Sequence, residues 1–413
     1  MLSLQHLFAM FGSTVLVPNL LGVDPAICLL MNGIGTLLYI FICQGKIPAY
    51  LGSSFAFIAP AGAVIGTYAD HGDGYSAALG GFLAAGVVFV IVALIVQFAG
   101  TAWISVVFPP AAMGSIVAVI GLELIPVAAR MAGWIAKPDV PDWSPDGTVI
   151  TVSVFTLLVT VLGSVLFRGF MKIIPILFGI VSGYVLAWLL GLTDFSKVSG
   201  ADVLAAPTFT APSFEWSAIL TIVPAALVVV VEHIGHLIVT GNIVGKDLSK
   251  DPGLHRSMLS NGISTILSSF AGSTPNTTYG ENIGVLAITR VYSTFVIGGA
   301  AVIAIVLSFL GKLSALIAAI PEAVMGGVSL LLFGVIAASG LRMLVESKVD
   351  YSKPSNLFLT TVVLVTGLSG VTIKSGNFSL SGMALATVVA IVLSLLFKLF
   401  EKLGWSNEQE DAH

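Results

Sequence analysis

The chain has 413 residues, 57% of them hydrophobic and 9% charged, with a formal net charge of −4; an ordinary soluble domain carries roughly 25% charged residues. So few charges cannot coat a soluble globule of this size, which excludes a soluble enzyme, a disordered scaffold and a nucleic-acid-binding module. The composition fits a chain whose outer surface faces lipid.

Apolar runs of about 17–25 residues read as transmembrane helices. Fourteen are predicted, at 2–23, 25–43, 50–68, 77–99, 103–128, 149–167, 173–193, 217–244, 256–272, 275–289, 291–311, 314–340, 355–372 and 379–399. The first lacks a basic n-region and a small-residue cleavage site, so it reads as a span and not as a cleaved leader. Cys28 and Cys43 lie within apolar runs, so no disulfide framework is implied.

The third and tenth spans are poor helices. Tyr50-Leu51-Gly52-Ser53-Ser54-Phe55 leads to Pro60, and Gly272-Ser273-Thr274-Pro275-Asn276-Thr277-Thr278-Tyr279 leads to Gly280. Both mix Gly, Ser, Thr and Pro with strand formers. Inside a bilayer such backbone is tolerated only when buried in protein or lining a cavity. Each is predicted to be a short extended segment near the midplane, followed by a half-helix whose free N–H groups face a ligand.

Between spans, Asp24, Asp70, His71 and Asp73 fall in plain loops. The longer polar loops at 133–148, with Asp139 and Trp143, and at 194–216 are expected outside. The acidic tail Glu408–Asp411 reads as solvated. Of the 17 Lys and Arg, only Arg130, Lys137, Lys197, Lys312 and Lys374 fall on the side opposite the N-terminus. That bias places both termini in the cytoplasm.

The halves echo one another. Leu4–Ala9 aligns with Val231–His236, and Pro109–Gly114 with Pro321–Gly326, in the same order and at similar offsets. A duplicated unit of seven spans must enter the membrane from opposite sides, an arrangement common in transporters.

Ionisable groups at bilayer depth need a reason. Glu232 and His236 lie four apart on the eighth span, about 40° apart around one helix face. Glu281 sits at the break of the tenth span, and His6 occupies the place on the first span that corresponds to His233. Glu123 and Glu322 read as solvated span ends. The order Glu232-His233-x-x-His236 has the wrong spacing for a zinc helix, so no metal and no cofactor is expected. Phe55 and Tyr279 lie in the two broken segments.

Glu281-Asn282-Ile283-Gly284-Val285-Leu286-Ala287-Ile288-Thr289-Arg290 resembles the signature of the nucleobase–ascorbate transporter family, nucleobase:cation symporter 2. That signature is an acidic or amide residue, Asn, x, Gly, four variable residues, Thr and a basic residue; here Asn282, Gly284, Thr289 and Arg290 fill the fixed positions. The flanking stretches Leu4–Gly12, Gly45–Phe57, Phe108–Glu123 and Glu232–His236 resemble the family's bacterial uracil:proton symporters.

The resemblance implies an all-α polytopic membrane protein with 14 transmembrane segments in two inverted 7-span repeats and short extended segments in spans 3 and 10. It implies a core domain at 1–101 and 211–311 and a gate domain at 102–210 and 312–413, with homodimerisation through the gate. The activity implied is proton-coupled symport of uracil across the bacterial cytoplasmic membrane, with a purine such as xanthine or uric acid as the alternative. It further implies that Glu232 and Glu281 bind substrate, with backbone groups of Phe55 and Gly280, and that Phe55 and Tyr279 offer a face for the substrate's planar ring. His236 then binds substrate or couples the proton, and His6 joins it in proton coupling. Phe333 stands where the uracil branch has a gate-domain Tyr, so a hydroxyl contact is missing there.

Overall fold

The structure, a computed structural model, describes residues 2–69, 72–138 and 140–406. Asp70, His71, Asp139 and the tail Glu408–Asp411 lie outside the described residues. The protein is an all-α polytopic membrane protein. Among the described residues, eight helices are long and apolar enough to cross a membrane, and four shorter apolar helices accompany them.

In chain order the first half runs α1 (Leu2–Ala9), α2 (Phe11–Leu21), α3 (Pro25–Ile42), strand β1 (Leu51–Ser53), α4 (Ile58–Thr67), α5 (Gly74–Ala99), α6 (Ile104–Val107), α7 (Pro110–Met131), α8 (Gly147–Leu166), α9 (Pro175–Leu189) and α10 (Ser196–Gly200). The second half runs α11 (Trp216–Val244), α12 (Leu254–Ala271), β2 (Asn276–Thr278), α13 (Gly280–Thr289), α14 (Thr294–Leu307), α15 (Gly311–Ala318), α16 (Glu322–Glu346), α17 (Pro354–Leu368), the hairpin β3 (Thr372–Ser375) and β4 (Phe378–Ser381), and α18 (Gly382–Leu403).

The helices pack in two groups. Helices α3, α5, α11, α12 and α14 form one, and α7, α8, α9, α16, α17 and α18 the other; α11 also touches α18 and β4. With no hydrophobic drive between helices in lipid, close backbone approach must hold such groups together. At the centre of the second, a Cβ on Gly340 of α16 would come within 2.6 Å of the Gly114 carbonyl of α7.

Several expectations need correcting. The runs 103–128 and 314–340 are not single helices. Pro109 and Pro321 are extended, with ψ of 157° and 142°, and each precedes a fresh helix start at Pro110 or Glu322. Pro110 disfavours helical backbone at the residue before it and brings no N–H of its own, so α6 ends ahead of the pair and α7 begins on it. The 355–372 run is likewise shorter as a helix, ending at Leu368, and the helix expected from 379 starts only at Gly382, because 372–381 forms the hairpin that turns at Gly376, φ +59°.

Asp24 is also more than a loop residue. It caps α3, accepting from Ala26 N–H at 2.9 Å, and takes further hydrogen bonds from Ser314 Oγ at 2.8 Å and Thr208 N–H at 3.0 Å. It therefore ties the start of α3 to α15 and to the segment before α11.

Glu322 is an exposed helix start paired with Lys137 at 2.5 Å. Glu123 is not a solvated end. It is half-buried in the middle of α7, and its Oε2 accepts the Met383 N–H, 2.8 Å away, in the first turn of α18. A carboxylate there satisfies an N–H with no partner in its own helix. Glu123→Ala is expected to lower stability by about 1 kcal/mol, read as a lower melting temperature in detergent. Glu123→Gln keeps an acceptor and should recover most of the loss.

Candidate functional site

Two interrupted segments meet in the first helix group. β1 and β2 pair antiparallel, with Leu51 opposite Thr278, Gly52 opposite Thr277 and Ser53 opposite Asn276. The ladder extends at both ends, through Ser54 N–H to Pro275 O at 2.9 Å and Tyr279 N–H to Tyr50 O at 3.1 Å. Backbone groups freed from helix are thus satisfied across the two halves of the chain, as a bilayer interior demands.

The pair is anchored by buried side chains. Asn276 donates to Met31 O at 3.1 Å and to Ser264 Oγ at 2.8 Å, and Thr265 donates to Asn276 O at 3.1 Å. Thr36 Oγ1 accepts from Leu51 N–H at 2.9 Å. Helices α3 and α12 thereby grip both strands.

Each strand leads into a short helix. After β2 the chain enters α13 at Gly280, which is exposed to the space at its first turn. Glu281 occupies that turn and is half-buried. Glu232 and His236 approach from α11, also half-buried, and the charges of Glu232 and Glu281 lie within electrostatic reach of each other. His236 Nε2 faces Gly280, where a Cβ would come within 3.3 Å of it. Gly284, one turn on, is half-buried with nothing within 4 Å of where a Cβ would be. The first turn of α13 presents N–H donors beside two acids and an imidazole, the inventory needed to bind a planar solute bearing both N–H and C=O groups.

The other expected residues take different places. Tyr279 is buried with its ring over Gly52, and its hydroxyl donates to Ser53 O at 2.9 Å. Phe55 is not extended. It begins a 3-10 turn, Phe55–Phe57, directly after the last extended residue, Ser54, and its ring meets Phe333 edge-on at 5.9 Å. Phe333, on α16, is fully buried, which brings the second helix group to the edge of the site.

His6 lies on the far side of the motif, buried, with Asn282 Nδ2 donating to its carbonyl at 3.0 Å and lying 3.2 Å from its Nδ1. Thr289 bonds back to Val285 O at 2.8 Å, and Arg290 closes α13 in the left-handed region, φ +55°. The last two residues of the motif therefore end the half-helix and stand away from Glu281.

Thr278 escapes a reading by sequence. Its hydroxyl lies 3.1 Å from His236 Nδ1 and 3.4 Å from His233 Nδ1. The available signal is the density of buried Ser, Thr and Asn through 257–278, far above that of any other span.

Apolar helices in two groups, with paired broken segments beside intramembrane acids, are the features of a multi-pass membrane transporter, not of an enzyme. Residues 1–376 match a family described as "Permease family". The chain is 68% identical over 407 residues to a uracil permease of Paenibacillus larvae, covering 98% of this chain and 96% of that one. It is 62% identical over 402 residues to the uracil permease of Escherichia coli K12, covering 97% and 92%. The chain belongs to this permease family.

Among solved structures it resembles the transmembrane domain of a cyanobacterial bicarbonate transporter, BicA, with a TM-score of 0.63 at 14% identity over 97% of this chain and 95% of that one. It also resembles the murine anion transporter Slc26a9 in the inward-facing state, with a TM-score of 0.68 at 13% identity, covering 97% and 68%. At such identities the likeness is one of fold.

Proposed function

We propose that the protein is a proton-coupled uracil symporter of the bacterial cytoplasmic membrane. The observation that carries this reading is the convergence of Glu232 and Glu281 beside the exposed first turn of α13, in a chain 68% identical to a uracil permease. Uracil carries two ring N–H donors and two carbonyl acceptors in one plane. Carboxylates accept the donors, and backbone N–H groups at Gly280 and Phe55 donate to the carbonyls. Each charge-assisted bond contributes about 1.5–3 kcal/mol.

Two carboxylates in one low-dielectric site repel when both are ionised, so the pair with His236 holds a proton together with the substrate. The loaded site carries less charge than the empty one, and that difference couples substrate movement to the proton gradient. Segments 225–244 and 275–289 contain no Lys or Arg, which argues against an anion as the substrate.

In this reading fourteen segments form two inverted repeats. Residues 1–101 and 211–311 are the core, residues 102–210 and 312–413 are the gate, and both termini are cytoplasmic. The core slides as a body against the gate. Phe333 meets Phe55 at that boundary, and the gate pairs two protomers. The packing of the helices into two groups supports this division.

Competition binding tests the substrate. Unlabelled uracil should displace radiolabelled uracil from the purified protein, while xanthine and uric acid should not. Displacement by either purine at the same concentration as uracil would favour a purine carrier.

A further inference from the structure

Beyond the substrate site, a line of buried polar groups leaves His236 in the direction of the cytoplasmic helix ends. His236 Nδ1 lies 3.1 Å from Thr278 Oγ1, which lies 3.4 Å from His233 Nδ1. His233 Nε2 lies 2.7 Å from Ser257 Oγ, and Ser257 Oγ lies 2.5 Å from Tyr39 Oη. His233 and Ser257 are wholly buried, Tyr39 is 1% exposed and Thr278 3%. Five residues from four elements, α11, β2, α12 and α3, are thus in single file. Ser257 is one turn from the start of α12, and Tyr39 one turn from the end of α3. An ion pair between Lys46 and Asp251 links the segments just beyond those two ends. Cys43 neighbours Tyr39, and Arg256 lies within electrostatic reach of Cys43.

Every member of the line both donates and accepts. Each imidazole presents one N–H and one bare nitrogen, and each hydroxyl gives one proton and receives another. At the other end His236 Nε2 faces Gly280, beside Glu281. A packing role requires only that each group find one partner. A continuous file with alternating capacity from the substrate site to within one turn of the helix ends does more than that.

We propose that Thr278, His233, Ser257 and Tyr39 form a proton relay between the substrate site and the cytoplasm, resting on the symport reading above. A proton taken up at His236 Nε2 releases the one on Nδ1 to Thr278. The Thr278 proton passes to His233 Nδ1, the His233 Nε2 proton to Ser257, the Ser257 proton to Tyr39, and the Tyr39 proton to water admitted at the helix ends one turn away. One proton enters and one departs, no electrons move, and rotation of the hydroxyls with exchange of the imidazole tautomers resets the line. The four are positioning residues; none is required to touch uracil.

The test separates net transport from exchange in proteoliposomes. Exchange of labelled for unlabelled uracil needs no proton release, whereas uptake driven by a pH gradient does. Tyr39→Phe and Ser257→Ala should reduce pH-driven uptake about a hundredfold while exchange stays near wild type, and Ser257→Thr should retain both. Equal uptake in variants and wild type would overturn the relay, and so would parallel loss of uptake and exchange, which marks a packing role. A wild type that exchanges no uracil would instead contradict the substrate assignment and remove the basis for the relay.

Discussion

Glu281→Gln and Glu232→Gln are each expected to weaken uracil binding by about ten- to a hundredfold and to reduce pH-driven uptake at least as far. Loss of one charge-assisted hydrogen bond accounts for that range. A glutamine keeps one acceptor but turns an NH₂ donor toward substrate N–H groups, and it cannot take up a proton. Because the two acids share one site, the double variant should lose less than the product of the single losses. Equilibrium binding and uptake on the same preparations measure both effects. Undiminished proton-driven uptake in both single variants would contradict the assignment of these residues.

Gly52→Ala is expected to do comparable damage from a position that never touches substrate. A Cβ on Gly52 would run into the Tyr279 ring. The ring has nowhere to go. It is 3% exposed, its hydroxyl is bonded to Ser53 O and its N–H to Tyr50 O, and the next residue opens α13. Overpacking of this kind costs about 1–3 kcal/mol, part of it paid as displacement of Gly280 and Glu281. The folded variant should bind uracil about tenfold more weakly and melt at a lower temperature, with Tyr279→Ala as a second change that relieves the clash and restores stability. Wild-type affinity in Gly52→Ala would show that the strand pair does not position the acids.

Much of the architecture was legible because the bilayer imposes strong rules. Charge-poor runs had to be helices, and Gly- and Ser-rich interruptions had to lie where protein satisfies their backbone. That logic placed β1 and β2, and the four-residue spacing of Glu232 and His236 put both on one face. It failed wherever apolarity continued through a change of backbone. Nothing in the hydropathy of 103–128 separates α6 from α7; Pro109 and Pro110 do, and misplacing that boundary made Glu123 look like a span end. Phe55 shares its composition with the extended segment but already belongs to the turn that starts the next helix. Asp24 and Thr278 were opaque for another reason. Their partners lie far away in sequence, Ser314 for one and the two histidines of α11 for the other. Packing of β2 against α11 brings Thr278 to those histidines.

In the proposed mechanism, acids at bilayer depth, beside unwound chain, carry uracil and a proton together. Uptake of radiolabelled uracil into proteoliposomes under an imposed pH gradient, set against an equal sodium gradient, tests it most directly. Accumulation driven by the pH gradient and abolished by a protonophore, with none driven by sodium, is the predicted result. Accumulation that follows sodium and ignores pH would contradict it.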